Sequence, residues 1–76
     1  MASRLPRIRA PEFIRALERD GWYYARQRGA HRFFAHPSKP GLVVVPMHSG
    51  RTLKLGLLND MLKDAGLSRD DLRELL

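Results

Sequence analysis

The sequence predicts a small α+β domain in which a three-stranded antiparallel sheet carries helices on one face. Three observations predict it. Phe13, Ile14 and Leu17 recur at helical spacing near the start of the chain. Three short runs of strand composition follow, separated by turn-forming residues. Leu55, Leu58, Met61, Leu62 and Ala65 then return to helical spacing and end at Gly66. A chain of 76 residues removes only about 60% of its extended-chain surface from water on folding, so a few large side chains must supply the core. Residues 1–76 read as a single domain without internal repeats.

Each element has its own signal. Residues 1–9, with Arg4, Arg7 and Arg9, read as a flexible basic arm. A first helix is expected over residues 11–20, because Pro11 suits the first turn and Gly21 suits the position after the last. Arg15 and Arg19, four apart, share its outer face. Residues 22–28 are rich in aromatics and alternate Tyr23, Ala25 and Gln27 against Trp22, Tyr24, Arg26 and Arg28, which favours a strand. Gly29-Ala30 makes a tight turn, and residues 31–36 form the second strand. Phe33 and Phe34 are both large, so alternation leaves open which of them meets the helices. Residues 37–41, P-S-K-P-G, turn the chain again. Residues 42–45 are apolar and largely β-branched, a third strand that Pro46 is expected to end. A loop over 47–54 precedes a helix over 55–65. Ser68 and Asp71 resemble a capping box for a short last helix bearing Leu72, Leu75 and Leu76. That stripe serves either as the last piece of core or as a docking surface for a partner.

Composition narrows the partners. There is no cysteine, which excludes disulfides and thiolate-rich zinc sites. The N-terminal stretch lacks the apolar run of a secretory leader, and no segment approaches the ~20 apolar residues that cross a bilayer, so a soluble, cytoplasmic protein is expected. Fourteen Lys and Arg against eight Asp and Glu give a net charge of +6. Eleven of those bases and three of the acids fall in residues 1–54, net +8, leaving net −2 for 55–76. Residues 21–59 contain no Asp or Glu at all. One face is therefore suited to a polyanion, with nucleic acid ahead of an anionic membrane surface.

The residue types then exclude most chemistry. A two-metal nuclease needs carboxylates, which residues 21–59 lack. A zinc ion cannot easily take both His31 and His36, which lie five apart on one predicted strand and so point to opposite faces. Ser3, Ser38, Ser49 and Ser68 lie in no nucleophile-elbow frame, and no Walker loop exists, although S-G-R-T at 49–52 could bind one phosphate through backbone N–H groups. What remains is His31 in the basic, aromatic stretch Y-A-R-Q-R-G-A-H-R-F of residues 24–33. RNA carries its own nucleophile. A base that takes the 2′-OH proton lets that oxygen attack the adjacent phosphate, and positive charge stabilises the phosphorane. DNA has no such hydroxyl. The competing reading of His31 is a hydrogen-bonded structural residue beside a turn. His36, at a strand end before Pro37, reads as structural, and His48 as a phosphate contact, a second acid–base group or a solvated loop residue. Trp22, Tyr23 and Tyr24 could stack on bases, with core packing the expected use of at least two of them.

The runs G-W-Y-Y-A-R-Q-R-G-A-H-R-F-F-A-H-P, V-V-V-P-M-H-S-G and L-K-L-G-L-L-N-D-M-L-K-D-A-G-L, in this order, resemble the HicA family of toxin components of bacterial toxin–antitoxin pairs. The resemblance covers residues 13–67. It implies a fold like the double-stranded-RNA-binding domain, metal-independent cleavage of mRNA without a cofactor, and neutralisation by a HicB antitoxin. The family's Gly-small-His motif falls on Gly29, Ala30 and His31, which makes His31 the catalytic histidine by resemblance. Its Pro-x-His segment falls on Pro46, Met47 and His48, and the glycine opening its last main helix on Gly56. Members commonly carry Ser or Gly at the position of Ala30, which keeps the small volume but has no hydroxyl to offer a phosphate. Arg26, Arg28, Arg32 and Arg51, with Lys54 and His48, are the expected RNA contacts. The rivals are a non-catalytic RNA-binding module of the same fold and, more distantly, a helix-turn-helix DNA binder, which the net −2 of residues 55–76 disfavours.

Overall fold

The computed structural model describes residues 5–47 and 51–76. Its elements are α1 (Ala10–Arg19), β1 (Tyr23–Arg28), β2 (His31–Ala35), β3 (Val43–Pro46), α2 (Leu55–Ala65) and α3 (Arg69–Leu75). The strands form one antiparallel sheet in the order β1-β2-β3. This is the α-β-β-β-α-α layout expected from the sequence.

The element boundaries follow local chemistry. Glu12 reaches back to accept a hydrogen bond from the Arg9 N–H at 3.0 Å, so α1 opens at Ala10, one residue earlier than expected. Gly66 ends α2 in the left-handed conformation (φ 67°). The capping box of α3 is formed: Ser68 Oγ accepts from the Asp71 N–H at 3.0 Å, and the Asp71 carboxylate accepts from the Ser68 N–H at 2.9 Å. Pro46 ends β3 as expected, but as the last residue of the strand, paired with His31, rather than the first beyond it. The neighbouring Met47 N–H donates to the Ala30 carbonyl at 2.7 Å. Rungs alternate, so His31–Pro46 is a rung without ladder hydrogen bonds, and the missing proline N–H forfeits none.

One face of the sheet meets the helices. Phe34 of β2 and Val43 and Val45 of β3 are buried against Phe13 and Leu17 of α1, Leu58 and Leu62 of α2, Leu72 of α3 and Trp22. That settles the phenylalanine pair: Phe34 is 1% exposed, and Phe33 lies on the other face. Leu72 is core and Leu75 packs against it, while Leu76 is exposed. The loose-arm expectation fails for residues 5–9. Ile8 is buried, its carbonyl accepts from the Leu53 N–H at 2.7 Å, Arg9 bridges to Thr52, and Leu5 packs on the core.

Asp20 closes the far end of the sheet from the β1–β2 turn. Its carboxylate accepts from the Trp22 indole N–H at 3.2 Å and from Lys39 Nζ at 2.6 Å, and Lys39 also donates to the Ala65 carbonyl at 3.0 Å. The Asp20–Lys39 pair thus joins the end of α1, the β2–β3 loop and the end of α2.

Candidate functional site

The uncovered face of the sheet collects the basic residues, and the strand ladder decides which. Directly paired residues share a face. The pairs Arg28–His31–Pro46 and Arg26–Phe33–Val44 form two successive rows on the face opposite the helices, and Tyr23–Ala35 forms the third. Pro46 alone among the buried strand residues belongs to this face; Tyr23, Arg26, Arg28 and His31 are exposed.

A bulge makes this assembly possible. Strict alternation from a buried Trp22 would send Tyr24, Arg26 and Arg28 inward. The register slips between Tyr24 and Arg26, leaving Ala25 as the extra residue. Tyr24 therefore faces inward, its ring edge-on to Phe34 at 6.3 Å, while Arg26 and Arg28 turn outward beside Tyr23. The sequence held a trace of this: no uniform strand can bury an indole and two guanidiniums together.

On this face the Arg26 guanidinium lies 4.6 Å above the centroid of the Phe33 ring, a cation–π stack. Gly29 takes φ 59° in the turn, and Gln27 Nε2 donates to its carbonyl at 3.0 Å. His31 follows immediately, at the start of β2. His31 is exposed, and among the described residues no side chain hydrogen-bonds its imidazole.

The remaining expected residues are placed differently. Arg32 is on the helix side of the sheet, paired with Gln27 and Val45, and its Nε donates to Gln27 Oε1 at 3.3 Å. Arg51 and Lys54 are exposed on the segment leading into α2 and belong to none of the three strand rows. His48 lies outside the described residues. Gly56 is exposed in the first turn of α2, and a Cβ there would meet nothing within 4 Å.

His36 lies one residue beyond β2 rather than on it. Its Nε2–H donates to the Asp20 carbonyl at 2.7 Å, its Nδ1 accepts from the Ser38 N–H at 3.1 Å, and its ring meets Trp22 edge-on at 5.1 Å. Both nitrogens are engaged, which fixes the tautomer and makes His36 structural. Of the three aromatics of residues 22–24, only Trp22 is core, against the expectation of at least two; Tyr23 and Tyr24 are each 53% exposed. Among the described residues, no three His, Asp or Glu side chains are grouped to hold a metal ion, and no helix is long and apolar enough to cross a membrane.

A profile of the HicA toxin of bacterial toxin–antitoxin pairs matches residues 10–67. The chain belongs to the HicA toxin family. The match runs from the first residue of α1 to just past α2, so it takes in the whole sheet and leaves α3 outside. No curated protein matches the chain. As a HicA toxin the protein has a role within a toxin–antitoxin pair.

Proposed function

We propose that this HicA toxin is a metal-independent endoribonuclease that cleaves mRNA with His31 as its acid–base group, and that a HicB-type antitoxin neutralises it. The observation that carries the reading is the row Arg28–His31–Pro46. It presents a solvent-exposed imidazole directly across from one arginine and one row from a second, in a segment devoid of carboxylates.

The chemistry follows from that arrangement. His31 takes the proton of a ribose 2′-OH, and the 2′-oxygen attacks the adjacent phosphorus. The bond from phosphorus to the 5′-oxygen breaks, and that oxygen leaves as a hydroxyl once it is protonated. The products are a 2′,3′-cyclic phosphate end and a 5′-OH end. Arg26 and Arg28 stabilise the extra negative charge on the phosphorane, where fixed cations contribute most. A positioned base contributes typically about 10²- to 10⁴-fold.

Incubating the purified protein with RNA in EDTA and mapping the product ends tests this. Wild type is expected to cleave and to leave cyclic phosphate ends. His31→Ala should lose at least about 100-fold in rate while keeping its circular dichroism spectrum, since the side chain is exposed. Cleavage by folded His31→Ala, or a requirement for Mg²⁺, refutes the assignment. RNA bound but left uncut by wild type at every pH would instead make the protein a binding module.

A further inference from the structure

The three rows carry more than a reactive histidine. Tyr23 projects from the outer face at 53% exposure, and its partner across the ladder is Ala35, too small to cover the ring. In the middle row the Arg26 guanidinium carbon lies 4.6 Å over the Phe33 ring centroid, so a planar charged group is backed by the ring beneath it. Both surfaces lie on the same side of His31: Phe33 is two residues and Ala35 four residues along β2, or about 7 and 13 Å at the usual strand rise.

We propose that Tyr23 and the Arg26–Phe33 stack form a platform for the bases of single-stranded RNA, holding the nucleotides on one side of the phosphate at His31. Two flat π surfaces within a carboxylate-free segment suit a polyanion that also offers aromatic faces. A paired duplex hides its base faces within its own stack; only unpaired nucleotides can lay them on tyrosine or on a guanidinium plane. The position relative to the scissile phosphate rests on the assignment of His31 as the cleaving group, whereas base stacking on the platform does not.

The test uses wild-type protein with a 2′-O-methyl oligoribonucleotide containing 2-aminopurine, which cannot be cut through the 2′-hydroxyl and whose fluorescence falls on stacking. The single strand should bind with quenching, and the same sequence in a duplex should bind more weakly and without it. Tyr23→Leu should weaken single-strand binding roughly 5- to 150-fold, the equivalent of one base–aromatic stack. Tyr23→Phe should retain wild-type affinity and quenching, which separates loss of the ring from loss of fold. Equal binding by Tyr23→Leu, or a duplex held as tightly as the single strand, overturns the platform and leaves this face to a protein partner. Cleavage of unmodified RNA is read separately. Tyr23-dependent binding without cleavage refutes the nuclease and keeps the platform, and cleavage with Tyr23-independent binding does the reverse.

Discussion

At the scale of single residues, Gly21 shows how closely the end of the sheet opposite the β1–β2 turn is built. Its φ is 104°, and a Cβ placed there would lie 2.8 Å from His36 Nε2, the atom that holds the Asp20 carbonyl. Gly21→Ala is therefore expected to combine backbone strain with loss of that hydrogen bond and to cost about 1–3 kcal/mol, read as a lower urea midpoint with an unchanged slope. At Gly29, with φ 59° and nothing near the absent Cβ, a substitution would meet backbone strain alone. His31 was legible in the sequence as a candidate because exclusion works on residue types: residues 21–59 hold no carboxylate and the chain no thiol, which leaves few other groups able to act there. Tyr23 was not, because its neighbours Trp22 and Tyr24 have the same character, and only three-dimensional pairing tells a core aromatic from an exposed one.

At the scale of elements, legibility depended on whether a boundary carries its own chemistry. The end of α2 and the start of α3 agree with expectation because Gly66, Ser68 and Asp71 mark them locally. The phase of β1 escaped because an alternating pattern assumes a uniform strand, and Ala25 breaks it. The cap of α3 also makes a pH prediction. Hydrogen bonds from the Ser68 backbone N–H, then from its hydroxyl, hold the Asp71 carboxyl below its ordinary pKa. A group whose folded pKa is depressed stabilises the fold above its unfolded value, about 3.9, and that contribution disappears as pH falls through the lower folded value. Amide exchange at Leu72 should accordingly accelerate below the usual carboxylate range. In Asp71→Asn it should already be fast at neutral pH and lack that acid-side change.

At the scale of the whole molecule, the separation of faces turns net charge into a prediction about salt. RNA affinity should fall linearly with the logarithm of salt concentration, because binding releases counterions from phosphates. Removing one phosphate contact from a single strand lowers the slope by about 0.7. Arg28→Gln should show that loss. Arg32→Gln, on the helix side with Gln27, should leave the slope as it is, and titrations of both variants across salt concentrations would check it. The order and number of elements could be read from the sequence because each has a separate periodicity. The split of four arginines between two faces and a loop could not, since it depends on one bulge and on strand register.

The exposure of β1 along its full length has a consequence for how such a protein changes over time. Substitutions at exposed positions usually alter stability by no more than about 0.5 kcal/mol. Tyr23, Arg26 and Arg28 can therefore be exchanged with little threat to folding, while Phe34, Val43 and Val45 cannot. Mutation has a free hand over the exposed strand β1 and almost none over the positions of β2 and β3 that hold the core. Divergence among such chains should accumulate on β1 first, changing what is recognised before it changes whether the protein folds.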